Sequence, residues 1–334
     1  MASLRKSSIS IVVPVFNEAG SLADLRLRLK NILDQLDLKW EIIFVDDGST
    51  DDTVARIKQM NTEDPRFKAI ILSRNFGKES AVSAGLRYAT GDAVVLIDGD
   101  LQHPPELIKE FVARWRMGHD IVYGERVDRD GEFKAANGFA KLFYGLFRAL
   151  SGVKIPEGSG DFRLLSRRAV NAMNQLSERA RFNKGLFAWI GFSSVGVPYS
   201  PAERRYGKAK WKFRQLFQLA IDGITSFSTV PLRVWSYLGL AISLMALAYA
   251  VFFLISTLLF GIDVPGFPSL IISIMLLSGV QLISLGVLGE YLGRVYEEVK
   301  RRPLYLVADE IGIESSDPNR EDGVAMVSER LEAR

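Results

Sequence analysis

The chain has 334 residues, no cysteine, and 42 basic against 39 acidic residues, for a net charge of +3. That length leaves room for more than one ordinary domain. The absence of cysteine excludes disulfides and thiolate metal sites, and the near balance of charge argues against a nucleic-acid binder working by bulk attraction.

The amino terminus, MASLRKSSISIVVPVFNEAG, is basic and then apolar, as an export signal would be. Its apolar run is short, breaks at Pro14 and leads into Asn17 and Glu18 without a small-residue cleavage site, so ISIVVPVF reads as a first strand. Further strand-like runs follow at EIIFVDD, FKAIILS, AVVLIDGD and DIVYGER. Between them SLADLRLRLKNILDQL and ESAVSAGLRYA carry apolar residues at helical spacing. The alternation predicts βαβ units on a mainly parallel sheet, whose ligands bind beyond the carboxyl ends of the strands. Those ends are VFNE, VDDGSTDD, LSRNFGK and DGDLQ, and three of the four carry carboxylates.

In DGDLQ, strand alternation would point Asp98 and Asp100 the same way past the sheet. Two carboxylates this close repel unless a cation sits between them, and oxygen ligands suit Mg²⁺ or Mn²⁺, with Gln102 available as a third donor. A pair of solvated turn aspartates is the rival reading of the same residues. In VDDGSTDDT, Asp46 and Asp47 end a strand, Gly48 permits a tight turn, and Ser49 or Thr50 is placed to cap the next helix. An acid here can accept hydrogen bonds from a nucleobase or ribose, and Pro14, Asn17 and Glu18 lie beside the same crevice. RNFGK brings Lys78 near it, without P-loop spacing. His103 and His119 lack partners at zinc spacing and read as surface or loop residues.

After residue 126 the pattern loosens, with helices predicted in ANGFAKLFYGLFRALS and RLLSRRAVNAMNQL. GKAKWKFRQLFQLAIDGITSF pairs an apolar face with Lys208, Lys210, Lys212 and Arg214, as a helix lying in a membrane interface does. Residues 234–260 and 267–289 are apolar runs longer than the roughly 20 residues that cross a bilayer core. Their connection, GIDVPG, has no Lys or Arg, whereas Arg233, Arg294, Lys300, Arg301 and Arg302 flank them, which predicts both ends in the cytoplasm. EYLGRVYEEVKRRPLYLV is expected to be a second interfacial helix, and a polar, mobile tail begins near residue 312.

VVPVFNE, VDDGSTDDT, LSRNFGKESAVSAGL and LIDGDLQHPPE, in that order, resemble the signature of family-2 inverting glycosyltransferases with the GT-A (Rossmann-like) fold. With the apolar spans, SGDFRLLSRR and RRYGKAKW narrow the resemblance to polyprenyl-phosphate glycosyltransferases over residues 9–302. The resemblance implies a cytoplasmic GT-A domain at 1–205, amphipathic helices at 206–233, two transmembrane helices at 234–290, and a juxtamembrane helix and tail at 291–334. It also implies that Asp98, Asp100 and Gln102 hold Mg²⁺ or Mn²⁺, and that Pro14, Asn17, Glu18, Asp46, Asp47 and Lys78 line the donor pocket. Asp161 would lie near the anomeric carbon and acceptor, orienting the acceptor in preference to deprotonating it. Arg126, Arg129, Arg163, Arg204, Arg205 and Lys210 would hold phosphates. The relatives' Ser before that lysine is Ala209 here, which removes one hydroxyl contact.

The implied activity is transfer of one hexose, glucose from UDP-glucose in the first instance, to undecaprenyl phosphate at the inner (plasma) membrane. GDP-mannose or an aminosugar donor is the alternative within the class, and a non-catalytic scaffold or lipid-flipping partner the alternative outside it. The resemblance further implies a homo-oligomer, with a tetramer as the suggested number. ARWRM shares only its RW with the QxxRW of processive synthases, so polymer synthesis is not expected.

Overall fold

The structure is a computed structural model that describes residues 7–126, 145, 147–149, 151–156, 158–176, 178–179, 181–200, 230–260 and 266–313. Clustering of contacts divides the chain into one compact unit of Met1–Phe217 with Arg302–Arg334 and a second of Gln218–Arg301.

In the first unit the apolar runs become strands. These are β1 (Ser8–Val15), β2 (Lys39–Asp46), β3 (Phe67–Leu72), β4 (Ala93–Leu96) and β5 (Ile121–Arg126). They are followed by β6 (Ser159–Ser166), β7 (Ser194–Tyr199) and, far along the chain, β8 (Val307–Ile311). The sheet order is β7-β5-β6-β4-β1-β2-β3-β8. β1, β2, β3 and β4 pair in parallel, as do β5 and β7. β6 runs antiparallel between β4 and β5, and β8 antiparallel along β3. The sheet is therefore mixed. Ile9, Ile11, Val12 and Val13 of β1 are all wholly buried, as expected of a strand covered on both faces.

The helices of this unit are α1 (Leu22–Leu33), α2 (Thr53–Glu63), α3 (Lys78–Tyr88), α4 (Ile108–Arg116), α5 (Arg167–Gln175) and α6 (Asn183–Trp189). Leu22, Leu25, Leu29, Ile32 and Leu33 form the buried stripe of α1, at the spacing of one helix face. α3 packs tightly on the sheet. A Cβ at Gly85 would lie 2.2 Å from Val12 Cγ1, so only glycine allows this approach.

Three expectations are corrected here. RLLS of the anticipated helix RLLSRRAVNAMNQL belongs to β6, and the helix begins at Arg167 behind a Ser166 cap whose side chain accepts from the Ala169 amide. The apolar run of β4 stops at Leu96, so Asp98 and Asp100 stand in the following turn, not on alternating strand positions. Leu101, between Asp100 and Gln102, takes a left-handed φ of 61° there. Finally, the anticipated interfacial helix at 290–307 divides into the end of a long helix and the start of β8.

Among the described residues of the second unit there are two helices, α7 (Val230–Phe260) and α8 (Phe267–Val299). Among the described residues one stretch, Leu276–Val299, is long and apolar enough to cross a membrane, and none of its apolar window is buried. The expected interfacial helix at 207–227, most of 136–151, and Arg129, Arg204, Arg205 and Lys210 lie outside the described residues.

Candidate active site

The carboxyl ends of β1, β2, β3 and β4 meet at one crevice, and hydrogen bonds between their loops shape it. Asn17, at φ 55°, donates its backbone amide to Ser49 Oγ at 2.8 Å and accepts from the Thr50 amide at 2.8 Å. The Glu18 amide donates to Thr53 Oγ1 at 3.0 Å. Asn17 and the Glu18 backbone thus fasten the loop after β1 to the loop after β2. Ser49 and Thr50 serve that clasp, while Asp52 stands at the start of α2 without a side-chain cap bond.

Asp47 is 4% exposed, and both its oxygens are engaged by the amides of Phe76 at 2.7 Å and Gly77 at 2.9 Å. It therefore anchors the loop that leads to Lys78. Burial pushes its carboxyl up, against those amides. Gly48 sits beside this anchor at φ 76°, where a Cβ would come within 2.7 Å of the Arg74 carbonyl carbon. Asp46 is different. Its Oδ2 accepts from the Ser49 amide at 3.0 Å, but Oδ1 is buried with no partner among the described residues. A buried acceptor without a donor costs about 1–3 kcal/mol, which makes this oxygen a ready receptor for an N–H or O–H from a ligand.

Asp161 arrives by antiparallel register. Leu96 pairs with Arg163, so two residues onward in the β4 chain and two back in β6 bring Asp98 and Asp161 to the same edge. Lys78, the first residue of α3, bridges them, with Nζ 2.7 Å from Asp98 Oδ1 and 2.6 Å from Asp161 Oδ2. Lys184 Nζ lies 3.7 Å from Asp161 Oδ1. Desolvation raises both carboxyls, but Lys78 with His103 outweighs it at Asp98, and Lys184 with Lys78 at Asp161, and both are held below the usual carboxylate range. For Lys78, desolvation is outweighed by the two acids, and its ammonium is raised. The sequence reading put Lys78 in the donor pocket and Asp161 near the acceptor; the structure joins them in one ionic bridge.

Other expected residues are placed as follows. Pro14, Lys78, Asp98 and Asp161 line one recess, with Glu79, Asn183 and Phe187. Asp100 Oδ1 accepts from the Gln102 amide at 3.1 Å. Arg126 is exposed at the end of β5. Arg163, expected on an acceptor phosphate, is 3% exposed, donates to the Gly160 carbonyl at 2.5 Å and stacks 4.0 Å over the Phe187 ring. Burial pulls its guanidinium down to about 10.

Sequence reasoning missed His103, Tyr199, Glu79, Asn183 and Lys184. His103 stands in the loop after β4, as expected, but it is half-buried and its ring is engaged. Its Nδ1 lies 2.8 Å from the Tyr199 hydroxyl and its Nε2 3.4 Å from Asp98 Oδ2, and its ring packs on Phe162. No local pattern could signal a partner 96 positions away. Burial, reinforced by Asp161, pushes Glu79 up to about 7. The KES sequence of the α3 start carries no hint of that.

The family model for glycosyl transferase family 2 matches residues 10–173. An uncharacterized glycosyltransferase of Synechocystis, sll0501, is 52% identical over 92% of this chain and 96% of its own. The SfII prophage-derived bactoprenol glucosyl transferase of Shigella flexneri is 44% identical over 90% of this chain and 97% of its own. Among solved structures, glucosyl-3-phosphoglycerate synthase from Mycobacterium tuberculosis, in complex with Mn²⁺, UDP and glucosyl-3-phosphoglycerate, covers 66% of this chain and 78% of its own at 21% identity and a TM-score of 0.44. With a mixed α/β sheet of GT-A type, strand-end acids in the order its motifs demand, and relatives matched over nearly their whole length, the chain belongs to glycosyl transferase family 2.

Proposed function

We propose that this chain moves a glucosyl unit from UDP-glucose to a polyprenyl phosphate, undecaprenyl phosphate in the first instance, at the cytoplasmic face of a membrane. The observation that carries this reading is the near full-length similarity to enzymes named bactoprenol glucosyl transferase.

The site chemistry suits the reaction. A lipid phosphate has a second pKa near 6, so it is already a nucleophile at neutral pH and needs little general-base help. Asp161, kept ionised by Lys184 and Lys78, is suited to orient the incoming group rather than to carry a proton away. Direct attack on the anomeric carbon inverts it in one displacement. Asp46 Oδ1 would take the donor hydrogen bond of a base or ribose, and Lys78 would lie by the diphosphate, with the exposed Arg126 available to the acceptor phosphate.

The carboxyl oxygens of Asp98 and Asp100 and the amide oxygen of Gln102 would supply the hard-oxygen ligands that Mg²⁺ or Mn²⁺ takes. Among the described residues no group of three or more His, Asp or Glu is arranged to hold a metal. A bound ion supplies positive charge to the leaving diphosphate. α7 and α8 would hold the enzyme at the bilayer that contains its acceptor, and the whole would act as a homo-oligomer.

The test is to incubate the protein with UDP-glucose, undecaprenyl phosphate and Mg²⁺, and to weigh the extracted lipid by mass spectrometry. A mass gain of one hexose is expected. No glycosylated lipid from UDP-glucose, GDP-mannose or a UDP-aminosugar would overturn the assignment.

A further inference from the structure

The recess beside Asp98 extends between α3 and α6, where Glu79, Asn183 and Phe187 line it. Asn183 is 4% exposed. Its Nδ2 donates to the Glu79 carbonyl at 3.4 Å, which commits the donor end of the amide to the backbone of α3. The other end, Oδ1, is buried with no partner among the described residues. Like Asp46 Oδ1, it is an acceptor that the protein itself leaves unsatisfied, at a cost of about 1–3 kcal/mol.

Glu79 adds a second polar group to the same recess. With its carboxyl at about 7, it can donate or accept near neutral pH. Phe187 gives an apolar surface, braced from behind by the Arg163 guanidinium at 4.0 Å. An amide acceptor, a carboxyl and an aromatic edge suit a ligand that presents several O–H groups on a carbon ring. Asn183 Oδ1 does not suit a phosphate, which at this pH offers that acceptor no donor.

Resting on the function proposed above, we infer that Asn183 and Glu79 read hydroxyls of the donor's hexose and so determine which sugar the enzyme accepts. Lys78 and Asp98, which also line the recess, place it beside the expected diphosphate, one bond from the sugar. The recess grips one edge of the ring, leaving the anomeric carbon toward Asp161.

The experiment compares UDP, UDP-glucose and a set of singly deoxygenated UDP-glucoses, one for each ring hydroxyl, by calorimetric binding and by transfer to undecaprenyl phosphate. The parent protein should bind UDP-glucose more tightly than UDP, and lose about tenfold or more in kcat/KM on the donor that lacks the hydroxyl read by Asn183. In Asn183→Leu, which keeps the volume but removes the acceptor, UDP-glucose should lose the same factor. That deoxygenated donor should be nearly unaffected, and UDP affinity should stay as in the parent.

Equal losses on every donor, or a loss shared with UDP, would overturn the inference and leave Asn183 a structural residue. If Asn183→Leu does not fold, Glu79→Leu carries the same comparison, because it keeps about the same size and removes the hydrogen-bonding atoms; selective loss on one hydroxyl supports the inference, and uniform change overturns it. A parent that binds UDP-glucose but glycosylates no lipid would refute the proposed function, while the binding comparison still decides the inference. A parent that binds no nucleotide sugar would refute both.

Discussion

Lys78 holds two acids from distant segments, Asp98 in the turn after β4 and Asp161 in β6. Without it, Asp98 and Asp161 become neighbouring carboxylates of like charge, one of which should take up a proton. Lys78→Met is therefore expected to cut kcat/KM by about 100-fold or more, the loss typical of a charge that stabilises a leaving group. Asp161→Asn should lower kcat strongly while UDP-glucose still binds, because Asp46 and the loop clasp around Asn17 are untouched. Donor affinity falling in parallel with kcat would instead place Asp161 in the donor pocket. Asp98→Asn and Asp100→Asn should each abolish transfer. In the parent, chelation should do the same, with activity returning on addition of Mg²⁺ or Mn²⁺; activity that survives exhaustive chelation would remove the metal role. Glu79 gives a pH prediction with a definite sign. Its carboxyl is raised from 4.5 to about 7 on folding, so between those values the folded protein keeps a proton that the unfolded chain has lost. The associated stability is fully present below the unfolded value and disappears as pH rises through about 7. Urea titrations from about pH 5 to about pH 8 should show a shallower decline of stability in Glu79→Gln than in the parent. Equal slopes would take Glu79 out of the recess.

At the level of the elements, α3 decides whether Lys78 and Glu79 reach the crevice, and Gly85 decides where α3 lies. Alanine at a helix interior is worth about 1 kcal/mol over glycine, but a Cβ here would meet Val12 Cγ1 at 2.2 Å and Val45 Cγ2 at 3.1 Å. Overpacking of this kind costs about 1–3 kcal/mol, and Val12 is stiff at χ1, so the clash wins. Gly85→Ala should be destabilised in denaturant titration and impaired in transfer, and Val12→Ala in the same chain should recover both; a lone Gly85→Ala as stable as the parent would show that α3 can shift freely. Elements of this parallel half were legible from sequence, because β1 to β5 are apolar runs bounded by turn residues and α1 shows one clean stripe. β6 was not. Leu164, Leu165, Ala169, Val170 and Met173 keep a helical rhythm across a strand–helix junction, and only the Ser166 cap marks where one ends. VADEI of β8 is short and polar, an edge strand specified by its pairing with β3 and not by its own pattern. The strand-end acids could be read because their types suit phosphate and metal chemistry. The Lys78 bridge, the His103–Tyr199 pair and the Asn183 acceptor depend on register and on contacts across distant segments, which sequence spacing does not encode.

For the whole molecule the course of the chain constrains the membrane topology more tightly than hydropathy does. One described stretch, within α8, meets the length and apolarity of a crossing helix, which taken alone suggests a single span. Yet β8 follows α8 in the chain and pairs with β3, which precedes α7. A single crossing would leave those two strands on opposite sides of the bilayer, where they cannot hydrogen-bond. On the proposed membrane-anchored reading the number of crossings is therefore even, and α7, at 31 residues, is long enough for the other span. The flanking arginines and lysines, absent from GIDVPG, would then set the loop outside. Since the chain has no cysteine of its own, single introduced cysteines report without background. In intact cells a membrane-impermeant maleimide should label Asp263→Cys, and should label Lys300→Cys only after lysis. Labelling of Lys300→Cys from outside, or protection of both until lysis, would break the two-span topology. Protection of both would leave α7 and α8 as helices lying on one face of the membrane, still compatible with the β3–β8 pairing but not with a loop on the far side.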